Sequence, residues 1–385
     1  MSDLAERAIE ILERLVAFDT TSRDSNLPLI EWVEDYLAGH GVQARRIASD
    51  DGAKSNLLAS IGPMVEGGVV LSGHTDVVPV DGQPWTSDPW VVTPRDGKLF
   101  GRGTADMKSF IALALAAVPE MKAAGLKRPC HLAFSYDEEV GCLGAPRMIE
   151  VLRRELPRRS VVIVGEPTGM EAVSGHKGIA TFKVTVTGHE AHSSLTHLGL
   201  SANMTAIKLM GALAALGEQL AGDAASPYLP KGSSLTVGMI EGGRALNILA
   251  RRCVFGFDLR CPRGVDPMQA LEGFFALCRE TDTEMKARFP EAGVEVELIS
   301  NVPAFEATEG EAEQLARRLA GDNGPARVVS YAAEAGQFQQ AGFEVVLCGP
   351  GSIDQAHQPD EFIEVSQIER GSAFMRRLVE ALSDD

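Results

Sequence analysis

Five short acidic or histidine-bearing stretches, spread over most of the chain, carry the side chains that could do chemistry. They are residues 72–76, 101–108, 137–139, 165–168 and 355–359. Each except the second follows a short apolar, β-prone run, namely residues 68–71, 131–136, 161–164 and 343–348. Loops at the strand ends of an α/β sheet converge on one crevice, so we expect the five stretches to form one metal site.

His74 and Asp76 lie two residues apart, so in an extended segment they point the same way. A metal-bound imidazole usually donates its other N–H to a carboxylate or carbonyl, which would put His74 on the metal and Asp76 behind it. Asp106 follows two glycines at the start of a predicted helix, where a carboxylate can bridge two metal ions. If each motif is taken separately, His74 could instead be a surface histidine beside a turn. Asp106 could instead be an acid that is favoured by the dipole at the start of a helix.

The run Asp137-Glu138-Glu139 places three mutually repelling carboxylates together, and a solvated acidic surface is its simplest interpretation. Because the run follows an apolar strand, at least one acid is expected to be drawn into a partly buried site. Consecutive side chains diverge, so one glutamate can bind metal while its neighbour holds a water, the division that metal-assisted hydrolysis needs. Glu166 and His357 complete the candidate set.

Two histidines and three carboxylates, without thiolate, favour zinc, with cobalt or manganese as substitutes. Two ions held roughly 3.5–4 Å apart would activate a shared water and polarise a carbonyl. The sequence therefore predicts a dinuclear hydrolytic centre rather than a structural zinc site.

The composition is that of a soluble globular protein of two domains. The chain has 385 residues, of which 45% are hydrophobic and 23% charged, and its net charge is −17. The acidic balance argues against a nucleic-acid partner and weakly favours cationic or zwitterionic ligands. Six cysteines without CxxC spacing predict reduced thiols. The N-terminus lacks signal-peptide character and no stretch suits a bilayer, so we expect a cytoplasmic protein without membrane contact.

Apolar periodicity predicts an α/β fold with a mostly parallel sheet, interrupted by a smaller α+β domain. One continuous helix is predicted over residues 107–124 and another over residues 266–289. After residue 178 the order β-α-β-β-α-β indicates a split-βαβ, ferredoxin-like insertion. The expected division is residues 1–177, 178–301 and 302–385, with the first and last forming one catalytic domain.

These motifs resemble the dinuclear zinc hydrolases that include aminoacylases, glutamate-releasing carboxypeptidases, succinyl-diaminopimelate desuccinylase and acetylornithine deacetylase. The resemblance covers essentially the whole chain. It implies that His74, Asp106 and Glu166 hold one metal, and that Asp106, Glu139 and His357 hold the other. It also implies that Glu138 is the acid/base, that Asp76 orients His74, and that the Asp106–Met107 peptide is cis.

The inserted domain carries further matches to this family. In residues 188–194 the segment Ala191-His192-Ser193 corresponds to a histidine that reaches into a partner subunit's active site and stabilises the oxyanion. The resemblance likewise implies that Asn247 contacts substrate and that Arg260 holds its carboxylate, and it predicts a homodimer formed through this domain. For Asn247 and Arg260, solvated polar side chains are the alternative.

Within the family, residues 334–342 and 348–361 are most similar to acetylornithine deacetylases, although a leucine or similar residue is expected where Gln337 stands. The expected substrate is thus an N-acyl amino acid, N²-acetyl-L-ornithine, cleaved to acetate and ornithine in arginine biosynthesis. A sister amidase or peptidase activity is an alternative. A binding or regulatory protein that holds metal without turnover is another, which the presence of Glu138 and His192 disfavours.

Overall fold

The computed structural model describes residues 2–157, 159–222, 225–306 and 310–384. Its contacts divide the chain into two compact units. The first unit comprises residues 1–175, 305–327 and 333–385, and the second comprises residues 176–304 and 328–332.

The secondary structure alternates between helices and strands along most of the described chain. The helices are α1 (Asp3–Val16), α2 (Leu27–Gly39), α3 (Lys108–Ala116), α4 (Val118–Ala124), α5 (Ala145–Glu155), α6 (Ala202–Leu220), α7 (Pro267–Ala270), α8 (Glu272–Arg288), α9 (Glu311–Ala320), α10 (Ala335–Gln340) and α11 (Val365–Ser383), with a 3₁₀ turn at Thr196–Leu198. The strands are β1 (Ala44–Ala48), β2 (Ser55–Ile61), β3 (Val69–His74), β4 (Thr93–Arg95), β5 (Lys98–Phe100), β6 (Cys130–Ser135), β7 (Val161–Pro167), β8 (Gly175–His176), β9 (Gly178–Thr187), β10 (Ser234–Gly242), β11 (Arg252–Cys261), β12 (Gly293–Val302), β13 (Phe305–Glu306), β14 (Glu344–Gly349) and β15 (Phe362–Glu364).

The first unit is built on a mixed sheet with the strand order β1-β2-β6-β3-β7-β14. The neighbours β6, β3, β7 and β14 run parallel, while β1 and β2 continue the sheet antiparallel at one edge. The parallel strands are buried along almost their whole length, as expected where helices cover both faces. Their apolar side chains form one core with α1, α3 and α11.

The second unit is an antiparallel sheet with the order β10-β11-β9-β12. Strand β9 alternates buried and half-buried residues, the pattern of a sheet covered on one face. Helices α6 and α8 contribute Leu209, Leu213, Phe274 and Cys278 to the core on that face. The strand order and the two helices are those of the predicted split-βαβ insertion.

Two predicted helices are each divided in the structure. The helix expected over residues 107–124 ends at Ala116 and restarts at Val118, because Pro119 lacks an N–H and its ring would clash with a carbonyl of the preceding turn. The helix expected over residues 266–289 is divided at Leu271, between a four-residue first turn and α8. The edge strand β1 and the short α10 were not predicted.

All six cysteines are free, as their spacing predicted, and the structure also shows that all of them are buried. None of the helices that the structure describes is long and apolar enough to cross a bilayer.

Candidate metal centre

The parallel strands deliver the predicted residues to one edge of the first unit's sheet. His74 ends β3, residues 137–139 follow β6, Glu166 lies near the end of β7, and His357 lies in the segment after β14. Because these four strands are neighbours and run the same way, their carboxyl ends form one rim, the usual place for a site in a parallel sheet.

Asp106 lies at the centre of this rim and contacts two imidazoles. Its Oδ1 is 3.0 Å from Nε2 of His74, and its Oδ2 is 3.3 Å from Nε2 of His357. The same His357 nitrogen is 3.0 Å from Oε2 of Glu139. Ligand atoms of His74, Asp106 and Glu139 all lie within 4.8 Å of one another.

The hydrogen bonding of His74 suits a cation. Its Nδ1 is 2.9 Å from the carbonyl oxygen of Asp76, so Nδ1 carries the proton and donates it. The Nε2 lone pair of the neutral ring then faces a carboxylate oxygen of Asp106, which is unfavourable unless a proton or cation lies between them. Atoms coordinated tetrahedrally at about 2.1 Å from one zinc ion stand about 3.4 Å apart, close to the separation seen here.

Two other acids carry buried oxygens that no hydrogen bond satisfies. Oε1 of Glu139 and Oε1 of Glu166 have no hydrogen-bond partner among the described residues. Burial, with the negative charge of Asp106 next, raises the pKa of Glu139 to about 7 and that of Glu166 well above its usual value. Buried carboxylates that repel one another and lack donors fit divalent cations bound among them.

Negative charge dominates at the imidazoles. The hydrogen bonds to Asp106 and Glu139 raise the pKa of His357 to about 10. Burial opposes the charged form of His74, but the carboxylates of Asp106 and Asp76 still raise its pKa well above the usual value. Burial likewise disfavours the ionised form of Asp106, yet hydrogen bonds from His357 and His74 hold its pKa below the ordinary range. This field of negative charge attracts cations.

The start of α3, just after Asp106, packs closely on β7 at the residue before Glu166. The ring of Phe110 lies where a side chain at Gly165 would begin, since a Cβ built there would meet the ring at 2.0 Å. Only a glycine at position 165, the residue before Glu166, allows the Phe110 ring to approach the strand this closely. The Asp106–Met107 peptide bond is cis, as the resemblance implies.

Asp76 supports the acidic loop as well as the imidazole. Its carboxylate lies 3.6 Å from Nδ1 of His74, farther than its own carbonyl oxygen, so its main contact with the ring is through the backbone. The carboxylate accepts from the backbone N–H of Glu138 at 3.1 Å and of Glu139 at 3.2 Å, and from the hydroxyl of Ser22 at 2.7 Å. The buried Asp76 thus fixes the loop that carries both glutamates.

A second buried carboxylate, Glu361, fixes Asp106. Its Oε1 accepts from the backbone N–H groups of Ala105 at 2.8 Å and Asp106 at 3.1 Å, while Oε2 accepts from Arg102 at 2.6 Å. Arg102 also donates to Gln83, whose amide donates to the carbonyl oxygen of His357 at 3.0 Å. Arg102 and Glu361 both lie in stretches that sequence analysis selected, but a buried ion pair between them could not be inferred from spacing.

The remaining predicted residues belong to the second unit. His192 and Asn247 are neighbours there, since the backbone of His192 bridges to Ile248 and the N–H of Ser193 donates to the Asn247 carbonyl oxygen at 2.9 Å. Arg260 lies near the opposite end of the sheet, where it pairs with Ile179, and its Nε is 3.3 Å from Asp258.

Comparison with known proteins identifies the family. Residues 70–381 match the peptidase family M20/M25/M40. An acetylornithine deacetylase from Proteus mirabilis is 33% identical over 383 residues, covering 97% of this chain and 96% of the relative. One from Myxococcus xanthus is 35% identical over 398 residues, covering 98% of each.

The fold is also that of solved structures. An M20-family metallo-carboxypeptidase from Sulfolobus solfataricus superposes with a TM-score of 0.79 at 16% identity, covering 100% of this chain and 99% of the other. The resemblance expected from the motifs and the predicted two-part α/β architecture are both confirmed. With a family match over most of its length, this chain belongs to the peptidase family M20/M25/M40.

Proposed function

We propose that this protein is a metal-dependent amide hydrolase that cleaves N²-acetyl-L-ornithine to acetate and L-ornithine. The cluster of two imidazoles and acidic side chains around Asp106 is the observation that carries amide hydrolysis. The substrate rests on acetylornithine deacetylases that are 33–35% identical over nearly the whole chain. The resemblance of residues 348–361 to acetylornithine deacetylases in general, inferred from the sequence, points the same way.

The donor set supports two divalent ions, zinc being the best match and cobalt or manganese substitutes. His74, Asp106 and Glu166 would hold one, and Asp106, Glu139 and His357 the other. Bound there, such ions acidify water and polarise the acyl oxygen. The two oxygens of Asp106 face different imidazoles, the arrangement expected of a shared ligand.

Glu138 is proposed as the proton-transfer group. Its backbone is fixed by Asp76, and burial, opposed by the charge of His74, raises the pKa of its carboxyl to about 8. The Glu138 carboxylate contacts the Cys142 thiol, which leaves it available to take a proton from water and return it. In the reaction, the water oxygen bonds to the acyl carbon while Glu138 accepts its proton, and the carbon–nitrogen bond breaks as Glu138 protonates the leaving amine.

We propose that the second unit completes the site when two copies of the chain associate. Arg252 and Arg260 are eight residues apart on β11, about 26 Å of extended strand, and the segment that carries His192 adjoins the Arg252 end, where the Gly188 N–H donates to the Arg251 carbonyl oxygen. Because Arg260 and the His192–Asn247 pair lie near opposite ends of this sheet, we infer that in one copy of the chain they serve different substrate molecules. We propose a homodimer in which His192 and Asn247 serve the partner's site, with His192 donating to the oxyanion and Arg260 binding the α-carboxylate as a bidentate donor.

The net charge of −17 favours a cationic side chain such as that of ornithine. Succinyl-diaminopimelate desuccinylase, aminoacylase and carboxypeptidase activities use the same chemistry and are the rival functions. A non-catalytic metal-binding protein would need neither Glu138 nor His192.

The test is an activity panel on enzyme loaded with zinc or cobalt. It compares acetylornithine, acetylmethionine, succinyl-diaminopimelate and a simple dipeptide, with a chelated sample as control. We expect the highest kcat/KM for acetylornithine, and activity that chelation abolishes and either metal restores. A higher kcat/KM for succinyl-diaminopimelate or the dipeptide would overturn the substrate. Full activity in metal-free protein would overturn the chemistry.

A further inference from the structure

The side chain of Glu138 has a neighbour that the proposed mechanism does not use. Sγ of Cys142 lies 3.2 Å from Oε1 of Glu138, at hydrogen-bonding distance for a thiol. Cys142 is 2% exposed. Burial, with the charge of Glu138 next, raises the pKa of the Cys142 thiol well above its usual value. When Glu138 is ionised, as a group that accepts a proton must be, its carboxylate has no proton to give and the thiol is the donor of this hydrogen bond.

The backbone returns Cys142 to Glu138 within one turn. The N–H groups of Gly141 and Cys142 both donate to the carbonyl oxygen of Glu138, at 2.9 Å and 2.8 Å. Cys142 has a φ of 54°, in the left-handed region that residues other than glycine seldom adopt. Such a conformation persists only where its surroundings hold it.

Gln337 supplies part of that support from another element. This residue lies in the first turn of α10, and its Nε2 donates to the carbonyl oxygen of Cys142 at 3.1 Å. The helix is itself attached to the central sheet, because the buried Glu334 that precedes it accepts from the hydroxyl of Ser72 on β3. A leucine at position 337, which the family resemblance predicts, could not make this bond.

We propose that Cys142 is a positioning residue that holds the Glu138 carboxylate for proton transfer, and that Gln337 acts through Cys142 by fixing its backbone. Glu138 is then held at three points: its N–H by Asp76, its carbonyl oxygen by the turn, and its carboxylate by the thiol. A free glutamate populates several rotamers, so the thiol reduces the entropy lost when the carboxylate meets water and the amine.

The inference rests on the proposed function, because Glu138 must be the proton-transfer group for its orientation to matter. The test compares Cys142→Ala, which removes the donor, Cys142→Ser, which keeps a donor, and Gln337→Leu. The matched control is Cys130→Ala, another buried cysteine, which lies at the start of β6. Each variant is assayed on the substrate that the parent cleaves best, with its metal content measured.

We expect Cys142→Ala to lower kcat about tenfold, the effect of losing one hydrogen bond to a charged group, with KM and metal content nearly unchanged. Cys142→Ser should recover most of the rate, and Cys130→Ala should keep the parent kcat. Gln337→Leu should lower kcat less, and its effect should shrink in the Cys142→Ala background. A kcat for Cys142→Ala equal to that of Cys130→Ala, or additive effects of Cys142→Ala and Gln337→Leu, would overturn the proposal.

A second measurement is independent of turnover. Crystal structures of the parent and of Cys142→Ala should show one Glu138 rotamer in the parent and more than one in the variant. An unchanged single rotamer in the variant would refute positioning even if the rate falls. A parent that cleaves no amide would contradict the proposed function, while the rotamers would still decide whether the thiol orients Glu138.

Discussion

The imidazoles of His74 and His357 contact different oxygens of one carboxylate, that of Asp106. The two histidines are 283 residues apart (357 − 74) and come from different strand ends of the same sheet. A single acid placed between two potential ligands is the geometric basis for proposing a shared metal ligand. Because of this relationship, loss of the Asp106 side chain should weaken metal binding at both positions of the proposed centre.

Replacing Asp106 by alanine should weaken binding of both ions, because one side chain serves each. We expect at least about a 100-fold loss of affinity, since changes at residues that merely support a ligand already cost 10–100-fold. Metal content per chain, measured by mass spectrometry after dialysis, checks this expectation. Glu66→Ala, which removes an exposed acid in the same unit, is the control. Retention of two ions by the Asp106 variant would rule out the bridging role.

Replacing Glu138 by alanine should leave both metals bound and lower kcat by about 10²–10⁴, the range for a general acid/base. Both metals should stay bound because the Glu138 carboxylate contacts Cys142, whereas it is Glu139 that contacts the candidate ligand His357. Steady-state kinetics and metal content are measured on the same preparation. If metal is lost in proportion to activity, Glu138 is a ligand instead.

Mixing two inactive variants should restore activity if His192 serves the partner's site. In a heterodimer of His192→Ala and Glu138→Ala chains, one of the two sites keeps both side chains intact. Refolding the chains together, with different affinity tags, allows the heterodimer to be isolated and assayed. The homodimer of each variant is the control. Purified heterodimer without activity would show that His192 does not act across an interface.

The stability of the first unit should fall between about pH 6.5 and 4 because of His131. This histidine is 1% exposed, its Nδ1 is 2.8 Å from the Ser60 hydroxyl, and burial lowers its pKa to about 4. In that window the unfolded chain takes up a proton that the folded protein excludes, so the free energy of unfolding decreases as pH falls. The full contribution is about 3 kcal/mol.

Denaturant unfolding of the parent and His131→Gln across this pH range measures the effect. The free energy of unfolding of the His131 variant should fall less steeply as the pH is lowered. That of His197→Gln, a change at an exposed position, should fall as steeply as that of the parent. Parallel slopes for the parent and the His131 variant would mean that His131 titrates normally in the fold.

The sequence by itself determined the fold class and the identity of the candidate ligands. Apolar runs with a period of two or 3.6 residues reflect which face of each element is buried, so β3, β6, β7 and β14 and most helices were predictable. His74, Asp106, Glu139, Glu166 and His357 could be selected because carboxylates and imidazoles at strand ends have few other uses in combination. The effect of a proline is also local: Pro119 divides a predicted helix because it lacks a backbone N–H and its ring would clash with the preceding turn.

Only the tertiary structure decided how these residues contact one another. That Asp106 presents one oxygen to each imidazole, or that Glu361 accepts from the Asp106 backbone, depends on segments more than 200 residues apart in the chain. The contact between Cys142 and Glu138 is local, but it requires a left-handed backbone that Gln337 helps to hold from a distant helix. Residue type records what a side chain can do, whereas its partners follow from packing between distant elements, which no local pattern encodes.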